Sequence, residues 1–387
     1  MAENLKVFII DDNAESQTVI KDTVEAIAGV TISDVAKSNR MARAKLKHQP
    51  VDIVLLNIQM PDGDSLNTIR EIKDVTPDTE VVIISTPDLK DAKTAIRALE
   101  LGALEHLKKP SGNFSLNDQR EFRLRLMTIF GLVQNRKNVR RTKAYEKKSS
   151  AEAVITPVSG KPTEKVPRKT VIGTPAPAKA VCSAPAFWFR IEVVAIAVST
   201  GGPKALAQVI PKLPGDLGVP ILIVQHMPAT LTASLAESLN TQSALTVREA
   251  IHGEEIFPNV AYIAPGGKHM VVSRLSATGQ SMGKKVIELN EDPPQNSVRP
   301  SADVLFHSVA QVYGGNILAV VMTGMGNDGL RGVKAMKLVS CHCLTQSEDS
   351  CVVYGMPRAV DEACLSDEKV PLEKLAECIT NIIRKTR

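Results

Sequence analysis

The sequence predicts an α/β protein with two open, mostly parallel sheets separated by a linker, and three observations carry this. Short, continuously apolar runs recur, each followed by a helix-like stretch, as strands buried on both faces of a parallel sheet require. Between residues 131 and 186 that alternation stops, and Pro, Thr, Lys and Ala take over. It resumes around VVAIAVSTGGPKALAQVI, residues 193–210, where a buried strand, a serine on a glycine turn and a helix start meet. The expected divisions are a first α/β domain over 1–130, a linker over 131–186, and a doubly wound second domain over 187–387.

Composition narrows the function classes. Aromatics make up 3% of the 387 residues, so the cores are aliphatic and stacking on nucleic-acid bases is disfavoured. The amino terminus has an apolar run too short for a signal peptide, and no stretch approaches the roughly 20 apolar residues of a membrane span, so a cytoplasmic protein without membrane insertion is expected. The six cysteines, in a reducing compartment, are expected free. Cys341-His342-Cys343 has no second ligand pair at zinc-site spacing and is expected to be part of a buried strand. The net charge of +5 is local: residues 131–180 hold twelve Lys and Arg against three Glu, an excess of nine that leaves the rest at −4.

In the first domain, LKVFII (5–10), a short strand near 30–33, VDIVLLN (51–57) and VVIISTP (81–87) are the expected strands. Asp11, Asp12 and Asn57 then stand at strand ends and meet at the carboxyl edge of the sheet, where open α/β sheets place their sites. Ser85 ends another strand, and Lys109-Pro110 follows ALEHLKKP. The acid pair taken by itself is also compatible with a helix cap. The order and spacing of IIDD, IQMPD, IIST and GALEHLKKP resemble the response-regulator receiver domain over about residues 4–128, which implies a flavodoxin-like fold. In that family two early acids and an aspartate ending the third strand hold magnesium, that aspartate accepts a phosphoryl group, and a hydroxyl and a lysine sense it. The corresponding positions here are Asp11, Asp12, Asn57, Ser85 and Lys109. An amide cannot form an acyl phosphate, and Asn57 removes one of the anionic oxygens that attract a hard cation. His106 stands at the aromatic switch position and Ser65 replaces the usual glycine after Asp64. A receiver that has lost phosphoryl switching is therefore expected, with magnesium disfavoured.

From 131 to 186 no periodicity holds for long, and the composition suits a tether that is extended where proline is dense. Its basic residues leave open a contact with nucleic acid or another acidic partner, but no base-reading module accompanies them and nucleic acid is disfavoured.

In the second domain Ser199 follows the strand 193–198, His226 follows VPILIVQ, and Asp328 follows NILAVVMTGMGN. Each stands at the carboxyl end of a strand and before a helix. Each is separately open to a plainer reading: Ser199, Thr200 or Asp328 as a helix cap, His226 as a hydrogen-bonded loop residue. Together they supply a nucleophile, a base and an orienting acid on one sheet edge, and the unusual chain order is no obstacle because geometry defines a triad.

STGGPKAL, ILIVQHMP, VREAIHGE, VAYIAPGGKHM, RPSADVLFHSVA, TGMGNDG and VVYGMPRAV, in that order over residues 190–385, resemble the catalytic domain of the chemotaxis protein-glutamate methylesterases. The resemblance implies that Ser199 attacks the γ-carbonyl of a glutamate methyl ester on a receptor. It implies that His226 shuttles the proton, Asp328 fixes the imidazole, the Met325 amide holds the oxyanion and Thr200 supports the histidine. Deamidation of receptor glutamines is implied as a second activity, and no cofactor for catalysis. Methyl-accepting chemotaxis receptors are the implied partners, with a chemotaxis histidine kinase as a further candidate. Ala197, Val198 and Asn259 depart from the residues usual at their positions, as does the missing acid after Gln346. The rival readings are a catalytically silent adaptor that binds receptors or kinase, and an output protein acting through the basic linker on an acidic partner.

Overall fold

The strands form because their side chains are apolar on both faces, and they order themselves into two separate parallel sheets in a computed structural model that describes residues 4–86, 89–109, 115–152, 190–275 and 283–386. Residues 1–133 and 189–387 belong to one unit and 134–188 to another. The first sheet contains β1 (Leu5–Ile10), β2 (Val30–Ala36), β3 (Ile53–Asn57), β4 (Glu80–Ser85) and β5 (Glu105–Lys108). Its order is β2-β1-β3-β4-β5 with every pairing parallel. The order reverses between β1 and β3, which is where such a sheet opens a crevice at its carboxyl edge.

Helices α1 (Ala14–Glu25), α2 (Asn39–Leu46), α3 (Ser65–Val75) and α4 (Leu89–Glu100) alternate with those strands. The first two start on side-chain caps: Asn13 accepts from the Ser16 amide and Ser38 from the Met41 amide. Helix α5 (Leu116–Glu152) lays Phe122, Leu126, Ile129, Phe130 and Val133 into the first core at helical spacing.

Helix α5 revises the expected domain edge. Gly131 to Glu152 was expected to lack regular structure, yet it continues the helix, and Val133 is buried. No proline occurs between 116 and 152, while Leu, Arg, Lys, Gln and Ala, all good helix formers, are frequent. The remainder of the expected linker, 153–186, lies outside the described residues.

The second sheet has the order β14-β13-β12-β6-β7-β9-β8, again parallel throughout. Its strands are β6 (Val193–Val198), β7 (Ile221–Gln225), β8 (Thr246–Glu249), β9 (Val260–Ile263), β12 (Ile317–Val321), β13 (His342–Gln346) and β14 (Glu368–Val370). An antiparallel hairpin of β10 (His269–Arg274) and β11 (Lys285–Asn290) stands apart. Helices α6 (Gly202–Val209), α7 (Ala229–Gln242), α8 (Ala302–Tyr313), α9 (Leu330–Leu338), α10 (Met356–Glu362) and α11 (Leu372–Lys385) cover the faces. The chain enters at the central strand β6, builds outward through β7, then returns to place β12 on the other side of β6. The switch point thus lies between β6 and β12, and β7 flanks it. Cys341 and Cys343 are buried free thiols at and just before β13, as a buried strand there requires.

Helix α4 of the first domain packs against α6 and α7 of the second. Ser238 donates to Glu100 at 2.6 Å across that contact, and Lys93 pairs with Glu237 at 2.8 Å. Among the described residues no helix is long and apolar enough to cross a membrane.

Candidate active site

The switch point brings Ser199, His226 and Asp328 to one cavity of about 720 Å³, with Thr200 and Met325 also on its wall. Ser199 leaves β6 with its amide bonded to Thr323 O at 2.9 Å. The turn needs glycine. Gly201 has φ of +78° and heads α6, and a Cβ on Gly202 would lie 1.9 Å from Gln225 Oε1. Neither Ser199 nor Thr200 caps α6, so the plainer reading of those hydroxyls is not what the structure has. Gly324, facing the serine, has room for no side chain: a Cβ there would meet Met356 Sδ at 2.4 Å and Ser199 Cβ at 2.8 Å.

Gln225 ties Ser199 to His226. Buried at the end of β7, its Nε2 donates to Ser199 O at 3.0 Å and to His226 O at 3.1 Å. His226 Nε2 lies 2.8 Å from Asp328 Oδ2. With that nitrogen engaged, Nδ1 is the one left to serve Ser199. Among the described residues no hydrogen bond joins Ser199 Oγ to the imidazole, a looseness common before substrate binds.

Asp328 does not cap the helix that follows it, whose N-cap is Gly329. Its carboxylate sits instead at the amino end of α8, accepting from Ala302 N at 2.6 Å, Asp303 N at 3.2 Å and Ser301 Oγ at 2.7 Å. A helix N-terminus with free amides is a natural anion site. Burial by itself would raise the Asp328 pKa. The bond to His226, the charge of that ring and the Ser301 and Ala302 donors outweigh it and hold the group at about 2. It is therefore ionised throughout the neutral range and able to stabilise an imidazolium.

Thr200 differs from expectation. Its hydroxyl donates not to His226 but to Glu105 Oε2 on β5 of the first domain, at 3.0 Å. Burial raises the Glu105 carboxyl above its ordinary range, against the charge of Arg125 and the bonds from the His106 amide and Thr200. Glu105 and Arg125 both line the cavity that holds Ser199. Met325 is partly exposed at the cavity wall, and its amide has no partner among the described residues. An unengaged N–H on the wall of the same cavity as Ser199 is a donor of the kind an oxyanion needs.

In the first domain Asp11, Asp12, Asn57 and Lys109 do meet. Lys109 Nζ lies 3.0 Å from Asp11 Oδ1, and Asn57 Nδ2 donates to Asp12 Oδ1 at 3.0 Å and to Asp11 Oδ1 at 3.4 Å. Ser85 stands apart, its Oγ 2.8 Å from His106 Nε2. Burial, then the charge of Arg125, lowers the His106 pKa to about 4, so this ring is neutral near pH 7. The residues do not fit magnesium. Asn57 offers the two acids an N–H donor where a cation needs an acceptor, its own oxygen is taken by the Gln59 amide, and the Asp11 oxygens are occupied by Lys109, the Asn13 amide and Ser16.

Gln225, Asn296, Ser301 and Glu105 are site residues that the sequence reading missed. Gln225 had one available signal, a polar residue closing an otherwise apolar strand.

Fold and site together define a class: a receiver domain joined to a Rossmann-like α/β domain of hydrolase character. Residues 7–119 match the response regulator receiver domain and residues 194–379 the family described as CheB methylesterase. A protein of Desulfotalea psychrophila named protein-glutamate methylesterase/protein-glutamine glutaminase is 36% identical over 99% of this chain and 99% of its own. A Halalkalibacterium halodurans protein of the same name is 37% identical over 98% of each chain. The crystal structure of the Thermotoga maritima CheB methylesterase catalytic domain covers 50% of this chain and 98% of its own at 38% identity, with a TM-score of 0.47. The chain belongs to the CheB methylesterase family.

Proposed function

We propose that this protein is a cytoplasmic serine hydrolase that cleaves glutamate methyl esters on chemoreceptors, and deamidates receptor glutamines, in chemotaxis adaptation. The observation that carries the reading is the 2.8 Å bond between His226 and an ionised Asp328 on the strand edge that also presents Ser199. Ser199 Oγ attacks the side-chain carbonyl while His226 takes its proton through Nδ1. The imidazolium is stabilised by Asp328, and the oxyanion by the Met325 amide. His226 then protonates the departing methanol, or ammonia from a glutamine. A water deprotonated by the same ring releases the glutamate and regenerates Ser199. No step calls for a metal or cofactor. An adaptor without turnover has no use for an aspartate held by four other donors against a histidine.

The receiver domain, about residues 1–133 with the start of α5, gates this site, and residues beyond it tether the two domains. In this reading Glu105 occupies the cavity and the gate opens without phosphorylation, because Asn57 supplies no carboxylate. A chemotaxis histidine kinase remains a partner for docking alone. Methanol release from methylated receptor by the full chain, with Ser199→Ala as the blank, tests the activity. A rate no higher than the blank overturns it.

A further inference from the structure

Two buried carboxylates stand near one another: Asp328, 2% exposed and bonded to the imidazole, and Asp303 on α8, 5% exposed. Such a pair repels, and one member tends to take up a proton unless donors keep both charged. Asp303 Oδ1 accepts from the Gly332 amide at 2.8 Å. Between the two acids lies one amide group. Asn296 Nδ2 donates to Asp328 Oδ1 at 2.7 Å and to Asp303 Oδ2 at 2.8 Å. Its two hydrogens suit two acceptors, one each.

The backbone holds that amide in place. Asn296 and Ser297 have φ of +52° and +64°, and Gln295 and Val298 exchange hydrogen bonds at 2.9 and 3.2 Å. Paired positive φ values between reciprocally bonded residues mark a tight hairpin turn of the primed kind, in which Asn is favoured for its backbone alone. The turn accounts for an asparagine here. It does not account for a side chain directed onto two buried acids at the wall of the Ser199 cavity.

We infer that Asn296 is a positioning residue of the hydrolase: its amide bridges Asp328 and Asp303 and holds Asp328 aimed at His226. The inference deepens the hydrolase reading and rests on it. The titratable and charged groups around Asp328 are His226 after β7, Asp303 on α8, His269 on β10, Arg299 in the loop before α8, and Glu105 and Arg125 across the cavity. Of these, only Asp303 shares a donor with Asp328.

The test is the pH–rate profile of methanol release by full-length wild type, Asn296→Gly and Asn296→Asp. Glycine accepts a positive φ without strain, so Asn296→Gly deletes the amide and leaves the turn intact. The expected result for Asn296→Gly is a kcat about tenfold lower with KM nearly unchanged, in line with a lost hydrogen bond to a charged group. In Asn296→Asp a third carboxylate faces the pair, so kcat falls further and the acid limb moves to higher pH. If wild type is active while Asn296→Gly keeps its kcat, or both variants lose activity with the acid limb unmoved, the positioning role is overturned. If wild type does not exceed Ser199→Ala, the hydrolase reading fails and this inference falls with it.

Discussion

Replacing Glu105 with alanine should speed the full-length enzyme. The contacts that close the first domain over the second are unequal. Lys93–Glu237 is 69% and 59% exposed, so it contributes about 0–1 kcal/mol and is weakened by salt. Glu105 is different, because it accepts from Thr200 at 3.0 Å inside the cavity. Burial raises its carboxyl above the ordinary range, and a hydrogen bond of this kind contributes about 1 kcal/mol. Removing it shifts the closed-to-open ratio by roughly fivefold, and vacates the space beside Ser199. Methanol release from methylated receptor at matched protein concentration should rise by up to about fivefold in Glu105→Ala. Lys93→Ala should change it by less than about twofold. Glu105→Gln, which keeps both bulk and an acceptor oxygen for Thr200, should stay near wild type. The reasoning is refuted if Glu105→Ala leaves the rate unchanged, or if Glu105→Gln accelerates as much as Glu105→Ala.

Stability should depend on Asp328 with a definite sign. Its folded pKa of about 2 lies below the ordinary 3.8, so its contribution of about 2 kcal/mol is complete above pH 3.8 and is lost as pH falls toward 2; urea unfolding between pH 2 and 5 should lose this slope in Asp328→Asn. Gly202→Ala places a methyl 1.9 Å from Gln225 Oε1, which should cost about 1–3 kcal/mol and sharply reduce activity, read as melting temperature and methanol release together. Asn57→Asp should gain an acid-stable, base-labile phosphate from acetyl phosphate, whereas the wild type should not. Without a cation it should also be less stable in thermal melts, since a donor to Asp11 and Asp12 becomes a third negative charge.

Much of this fold was legible because buried parallel strands leave a strong local mark. VVAIAV is apolar without interruption, and LKVFII and NILAVV carry one polar residue each, Lys6 and Asn316. The helical extent of α5 was less legible. Its charged second half carries no apolar stripe, and the residue that ties it to the core, Val133, stands after a glycine that reads locally as a break. Ser199, His226 and Asp328 were found because each follows such a strand. Asn296 and Ser301 were not, since their partner Asp328 stands 32 and 27 positions away and nothing local marks them, and Gln225 carried only the mark of a polar residue closing an apolar strand.

The order of residues along the chain determined the strands, the glycine turn at Ser199, the presence of an amide instead of a carboxylate at Asn57, and the placing of Ser199, His226 and Asp328 after strands. These follow from side-chain hydrophobicity, backbone freedom and chemical type, which neighbours in sequence express directly. Only the tertiary structure decided that β12 lies beside β6, that Asp328 accepts from the amides of a helix it does not belong to, and that Glu105 reaches Thr200 from another domain. Those are distances between segments far apart in the chain. They are set by how whole sheets and helices pack, and no local run of residues encodes them.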